Sequence, residues 1–295
     1  MRAAVVTDFG GPEAVQIIER DIPEPGAGQV RIKVAAAALN PADAITRSGV
    51  LPADPPMGFG WDVAGTIDAA GADTGWAVGD AVVALEDNLV KALGTHAEYV
   101  VVEGSAVAAA PTSVDAVHAA TVPLNSLTAA QALDLLDLKP AQTLLVTGAA
   151  GAVGGYAVQL AAHQGIEVTA LAGEKDADFV QSLGAARFVA RGGAPGRHDA
   201  VLDAALLGET ALEWVRDGGA YAGVMPPFLP APVRGIRTAA VTVTADGARL
   251  KDLVALVDAG ILTTRVAETY PLDDAAKAHA RLAEGGIRGR LVLLP

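Results

Sequence analysis

Three evenly spaced glycines, Gly148, Gly151 and Gly154, stand in "LLVTGAAGAVGGYAVQLAA" (144–162), after an apolar run and at the head of an alanine-rich one. Glycine at the first position permits a tight turn, at the second a close backbone approach, and at the third close packing of a helix on a strand. A pyrophosphate placed there meets the unpaired N–H groups and the positive end of the helix. The pattern predicts a dinucleotide site built from Gly148, Ala150, Gly151, Ala152, Val153 and Gly154. Spacing alone is weak in a chain with 33 glycines. The strand–turn–helix setting is what gives it weight.

The next strand, "EVTALAG", ends in Gly173, Glu174 and Lys175, about where an adenosine ribose is read. An acid at that point accepts the 2′-hydroxyl of NAD, whereas a cation pairs with the 2′-phosphate of NADP. Lys175, joined by Arg191 after the third strand, points to NADPH, with Glu174 left as an NAD-reading alternative. A short-chain dehydrogenase also opens with a TG-rich loop, but it places the loop near the N-terminus and needs Tyr-x-x-x-Lys. None of Tyr99, Tyr156, Tyr221 or Tyr270 has a lysine four residues on.

The chain contains no cysteine, which removes disulfides, thiolate nucleophiles and cysteine-held zinc. Its five histidines, at 96, 118, 163, 198 and 279, are scattered without ligand spacing, so no metal site is expected. A net charge of −13 argues against nucleic-acid partners, which require a basic face. The stretch 140–166 carries no Asp, Glu, Lys or Arg and mimics a membrane span, but its glycines divide it into strand and helix. With too short an apolar run at the start for a signal peptide, a cytoplasmic protein is expected.

These residues need elements to position them. At 295 residues the chain is long for one core, and its grammar changes near Asp115. Before that point, "QVRIKVAAAAL" (29–39), "VAGTIDAAG" (63–71), "DAVVALE" (80–86) and "AEYVVVEGSAVAAAP" (97–111) read as closely spaced strands of a barrel-like unit. After it, "SLTAAQALDLLDL" (126–138) reads as helix. Strands at "TLLVTG", "EVTALAG", "RFVA", "DAVLDAA", "GAYAGV" and "TAAVTVTAD" then alternate with helices over 153–164, 174–183, 209–216 and 246–259. Such alternation predicts a doubly wound parallel sheet. The tail returns to strand, helix, strand and is expected to rejoin the first unit. The predicted domains are 1–115 with 262–295, and 116–261.

In this order the motifs "GGPE" (10–13), "ALNPADAITRSG" (38–49), "GWDVAGTI" (60–67), "VGDAVVAL" (78–85), "AEYVVV" (97–102), "VPLNSLTAAQAL" (122–133), "GAAGAVG" (148–154), "VLDAA" (201–205) and "YPLDDAAKAHARLAEGGIRGRLVL" resemble the zinc-free quinone oxidoreductase (zeta-crystallin-like) branch of the medium-chain dehydrogenase/reductase superfamily. The likeness covers nearly the whole length. It implies an α/β protein: a GroES-like, β-barrel-type catalytic domain and a Rossmann nucleotide-binding domain. Zinc-dependent members carry a Cys at the position of Asn40 and a His at that of Trp61, so the resemblance implies a metal-free site here.

Without a metal to stabilise an alkoxide, the feasible chemistry is hydride delivery from NADPH to an acceptor already polarised, a quinone or an α,β-unsaturated carbonyl. The charge left on oxygen then needs only hydrogen-bond donors and a proton. By resemblance, Asn40 and Thr128 lie beside the nicotinamide and its ribose, with Met225 and Val243 lining that pocket. Asp62 follows the lost zinc ligand, and the sequence suggests it as partner of a buried arginine such as Arg47. Many relatives carry Tyr where "SGVLP" puts Leu51. With Trp61 and His96, Leu51 would wall a pocket for flat, apolar, electron-poor molecules, the proton coming from water, a ribose hydroxyl or His96. Two alternatives share the fold: an enoyl-thioester reductase, and a non-catalytic NADPH-binding redox sensor. The strand near Thr238–Thr244 falls at the expected sheet edge, and the resemblance implies a homodimer through it.

Overall fold

The structure, a computed structural model, describes residues 1–50 and 54–295. Two compact units emerge, one of Met1–Leu124, Thr244–Gly260 and Thr264–Pro295, the other of Asn125–Val243 and Ile261–Thr263. The first unit begins with β1 (Arg2–Val6), β2 (Val15–Glu19), β3 (Gln29–Leu39), α1 (Pro41–Arg47), β4 (Met57–Gly58), β5 (Asp62–Ala70), β6 (Ala81–Leu85), β7 (Tyr99–Glu103), β8 (Val107–Ala109) and α2 (Ala116–Ala119). Its long strand shows why the sequence folds this way. In β3, Val30, Ile32 and Val34 point inward while Arg31 and Lys33 do not, and the run Ala36–Leu39 is buried throughout. The alternating half pairs with β5 and β7, and the apolar end continues onto a C-terminal strand. Alternation marks a sheet wet on one face; a continuous apolar run marks one covered on both.

The run 97–111, expected as one strand, is two. A turn of 3₁₀ helix at Gly104–Ala106 separates β7, which pairs with β3, from β8, which pairs with β6. Val30, Ile32, Val63, Ile67, Val82, Ala84, Val100 and Val102 fill the core they enclose.

After α3 (Pro123–Leu136), the second unit contains β9 (Thr143–Thr147), α4 (Ala152–His163), β10 (Glu167–Ala172), α5 (Ala177–Ser182), β11 (Arg187–Ala190), β12 (His198–Asp203), α6 (Glu209–Leu212), β13 (Val215–Gly223) and β14 (Arg237–Ala240). The six strands form one parallel sheet in the order β11-β10-β9-β12-β13-β14. This is the expected doubly wound sheet, whose winding reverses beside β9. Three expectations are corrected in detail. The helix expected over 209–216 is a single turn, because the chain is already extended at Val215, where β13 takes in "RDG" before "GAYAGV". The helix expected over 174–183 opens with a 3₁₀ turn and becomes α-helical only at Ala177. The strand at 238–246 keeps its pairing only through Ala240, although β14 does lie at the sheet edge.

The chain then forms α7 (Gly247–Asp258), β15 (Val266–Pro271), α8 (Ala275–Glu284) and β16 (Arg290–Leu294). The tail rejoins the first unit as expected, β16 pairing with β3. The junctions differ from the predicted 1–115, 116–261 and 262–295, for α7 also belongs to the first unit. Asp258 on α7 accepts hydrogen bonds from the amides of Thr112 and Ser113, both at 2.8 Å, and Asp87 accepts one from the amide of Ala245. A helix next in sequence to the parallel sheet is thereby tied to the barrel. No helix among the described residues is long and apolar enough to cross a membrane, and 140–166 is β9 and α4 as expected.

Candidate active site

The glycine loop joins β9 to α4 at the carboxyl edge of the parallel sheet, with β10 on one side of β9 and β12 on the other. That is the position where open α/β sheets bind ligands. Gly148 has φ +60°, a left-handed backbone that a side chain would strain. A Cβ on Gly154 would stand 2.2 Å from the carbonyl oxygen of Gly148, so this helix can approach its strand only with glycine there. Gly151 caps α4 and is exposed, and Ala150, Ala152 and Val153 are half-buried, leaving the first N–H groups of the helix accessible. These residues fit a pyrophosphate: open backbone donors, a helix N-terminus, and no side chain in the way.

Arg191 begins where β11 ends, and its amide donates to Ala172 O at 2.8 Å across the sheet from β10. Gly173 and exposed Lys175 therefore stand at one edge with exposed Arg191. Neither cation forms an ion pair among the described residues, so both remain available to a phosphate. Thr128 on α3 is buried, and Met225 and Val243, after β13 and β14, are half-buried.

In the first unit, the residues singled out by sequence join a buried polar network. Asn40 is 1% exposed. Its Nδ2 donates to Asp62 at 2.8 Å and to Ala38 O at 3.2 Å, and its Oδ1 accepts from Arg290 at 2.5 Å. Its backbone amide donates to Asp43, whose other oxygen accepts from the amide of Gly60. Both side-chain N–H groups of Asn40 are thus committed inside the protein. Asp62 also accepts from the amide of Leu124 at 2.6 Å and lies 3.9 Å from Arg290. Burial raises its pKa to about 6 against the opposing pull of Arg290 and of these donors. The buried arginine beside Asp62 is therefore Arg290, not the expected Arg47. Arg47 donates instead to His279 Nδ1 at 3.0 Å and to Gly10 O.

His96 is fully buried, with Nε2 3.2 Å from Ala38 O, and burial holds its pKa below the usual histidine value. A neutral, enclosed imidazole is a poor proton source. Trp61 is buried, and Lys91 stands over its ring at 4.4 Å while donating to Gly60 O and Glu86 O. Burial lowers the Lys91 pKa to about 8. Leu51 lies outside the described residues. Sequence reasoning passed over Arg290, Asp43 and Lys91. Arg290 sits in "GIRGRLVL", where a charge entering an apolar strand is a signal; Lys91, in an irregular loop, has none.

Residues 26–112 match the model for the alcohol dehydrogenase GroES-like domain, and residues 175–293 match that for the zinc-binding dehydrogenase family. Over its whole length the chain is 31% identical to the NADPH-dependent alkenal/one oxidoreductase of Arabidopsis thaliana, covering 80% of that protein. The chain belongs to the medium-chain dehydrogenase/reductase superfamily. Within that superfamily it is also 31% identical to the quinone-oxidoreductase QR1 of Triphysaria versicolor, across all of this chain and 98% of that one. The solved quinone oxidoreductase of Coxiella burnetii superposes with a TM-score of 0.90 at 26% identity, covering 100% of this chain and 99% of its own. As a medium-chain dehydrogenase/reductase the chain is an oxidoreductase, and its relatives are quinone and alkenal reductases. It departs from the zinc-binding members in its residues. It has no cysteine, and among the described residues no group of three or more His, Asp or Glu could hold a metal ion.

Proposed function

We propose that this protein is an NADPH-dependent reductase that transfers hydride to a quinone or an α,β-unsaturated carbonyl without a metal. The observation that carries the reading is the turn of Gly148, Gly151 and Gly154 at the winding reversal of the parallel sheet, packed so closely on its own backbone that only glycine fits at Gly154 and leading into the open N-terminus of α4. Bound there, the reduced nicotinamide supplies the hydride. The amides at the start of α4 hold the pyrophosphate, and Lys175 and Arg191 pair with the 2′-phosphate. Thr128, Met225 and Val243 shape the nicotinamide end. Asn40 is held in place by Asp62, which accepts from its N–H, and by Arg290, which donates to its oxygen. The proton is delivered from water or a ribose hydroxyl. We propose further that the edge strand near Thr238–Thr244 pairs two copies, which a molar mass measured in solution would test.

The test is NADPH oxidation at 340 nm with quinones, linear enones and enoyl-thioesters. Turnover of the first two classes supports the reading. Turnover of thioesters alone favours the enoyl-thioester reductase, and nucleotide binding without turnover favours a sensor.

A further inference from the structure

Asp203 closes β12 and is fully buried, yet every group that meets its carboxylate is neutral. Its Oδ1 accepts from the Thr147 hydroxyl at 2.5 Å, and its Oδ2 accepts from the Gly208 amide and the Tyr221 hydroxyl, each at 2.8 Å. The Thr147 oxygen in turn accepts from the amide of Ala205 at 3.1 Å. One carboxylate therefore gathers the end of β9, the loop 204–208 and the side chain of β13. All of its direct partners donate to the carboxylate, which accepts through both oxygens; an amide in its place would turn an N–H toward one of them and force a hydroxyl to give up its bond as donor.

The peptide this cluster holds is the one on which the glycine loop rests. A Cβ on Gly148 would lie 3.3 Å from Ala204 C and O and from Ala205 N. Thr147 immediately precedes that glycine, and its hydroxyl clasps both Asp203 and the Ala205 amide. Movement of the carboxylate would shift the floor of the turn and, with it, the direction of the N–H groups at the start of α4. Burial, with the charge of Asp203 second, pushes the Tyr221 pKa upward, which keeps the phenol a donor.

We propose that Asp203 is a positioning residue for nucleotide binding, acting through Thr147, Ala205, Gly208 and Tyr221 on the glycine loop. The proposal rests on the NADPH reading above. It assigns the buried acid no contact with the nucleotide and no part in proton transfer.

The test titrates NADPH and NADH by fluorescence against the full-length protein and the variants Asp203→Asn, Tyr221→Phe and Thr147→Val. All are measured well below their melting temperatures. Leu144→Ala, a core truncation on the opposite face of β9, reports what loss of stability alone does. Loss of hydrogen bonds of ordinary strength predicts a Kd raised roughly 3- to 10-fold in Tyr221→Phe and Thr147→Val, and at least about tenfold in Asp203→Asn. The two nucleotides should weaken equally, since the cluster acts on the pyrophosphate loop. At saturating NADPH, kcat should stay within about twofold of wild type while KM for NADPH rises. If Asp203→Asn fails to fold, the Tyr221 and Thr147 variants decide. Unchanged Kd values, with melting temperatures lowered as in Leu144→Ala, would overturn the positioning role and leave the NADPH reading standing. A wild-type protein that binds neither nucleotide would overturn both.

Discussion

The side-chain amide of Asn40 donates to the carboxylate of Asp62 at 2.8 Å, and Arg290 closes the arrangement by donating to the Asn40 oxygen. All three groups are buried. Asp62→Ala leaves the amide of Leu124 and the N–H of Asn40 without their acceptor and removes the carboxylate 3.9 Å from Arg290. Breaking a buried charged network by removing one partner costs about 3–5 kcal/mol. Urea unfolding should show a lowered midpoint of that size, and a change below about 1 kcal/mol would count against the network.

Adjacent glycines in α4 should respond in opposite ways. Gly154→Ala drives a methyl group to 2.2 Å from Gly148 O, so it should displace the loop and abolish measurable NADPH binding. Gly155→Ala meets Leu183 Cδ1 at 3.5 Å and Ala149 O at 3.8 Å, both ordinary contacts, and should be neutral or stabilise the helix by up to about 1 kcal/mol. Nucleotide titration with thermal melts of both variants checks this.

Charge reversal at Lys175 or Arg191 should weaken NADPH selectively. A charge-assisted hydrogen bond contributes about 1.5–3 kcal/mol, so KM for NADPH should rise on the order of tenfold or more. KM for NADH should hardly move. Equal effects on the two nucleotides would refute the phosphate role.

His279 should steepen the acid limb of stability. Burial, with Arg47 donating to Nδ1, depresses its pKa from 6.5 to about 3. The unfolded chain therefore takes up the proton first, and stability falls as pH drops from 6.5 toward 3, by up to about 1.4 kcal/mol per pH unit. His96 acts in the same direction. Asp62, with its pKa raised to about 6, acts in the opposite one, gaining stability as pH falls below that value. His279→Asn keeps an acceptor for Arg47 without a titrating ring. Denaturant titrations at pH 7 and pH 5 should show a smaller difference in the variant than in the wild type.

Lys91 should report its own charge through Trp61. Above pH 8 the amine over the indole becomes neutral and the cation–π contact is lost. Tryptophan emission should change with a midpoint near pH 8, a component absent from Lys91→Met. A profile that is the same in both proteins would refute the contact.

The local patterns in the sequence were enough for the two kinds of unit and for the strand–glycine-loop–helix at β9 and α4. Period-two alternation in 29–34, the αβ rhythm after Asp115 and the Gly148–Gly151–Gly154 spacing each record a constraint acting within a few residues. Tertiary pairing decided the rest. Val215 joins its strand early because it pairs with His198, and α7 leaves the parallel sheet because Asp258 meets the amides of Thr112 and Ser113. Arg290 displaces Arg47 beside Asp62 from 228 residues farther along the chain than Asp62 itself, as the numbers 290 and 62 require. Asp203 could be read as an acid ending an apolar strand, but not as the acceptor for Thr147, Gly208 and Tyr221. Periodicity is written along the chain because backbone geometry repeats locally; the partner of a buried charge is not, because desolvation is offset by whichever donors the fold brings within about 3 Å.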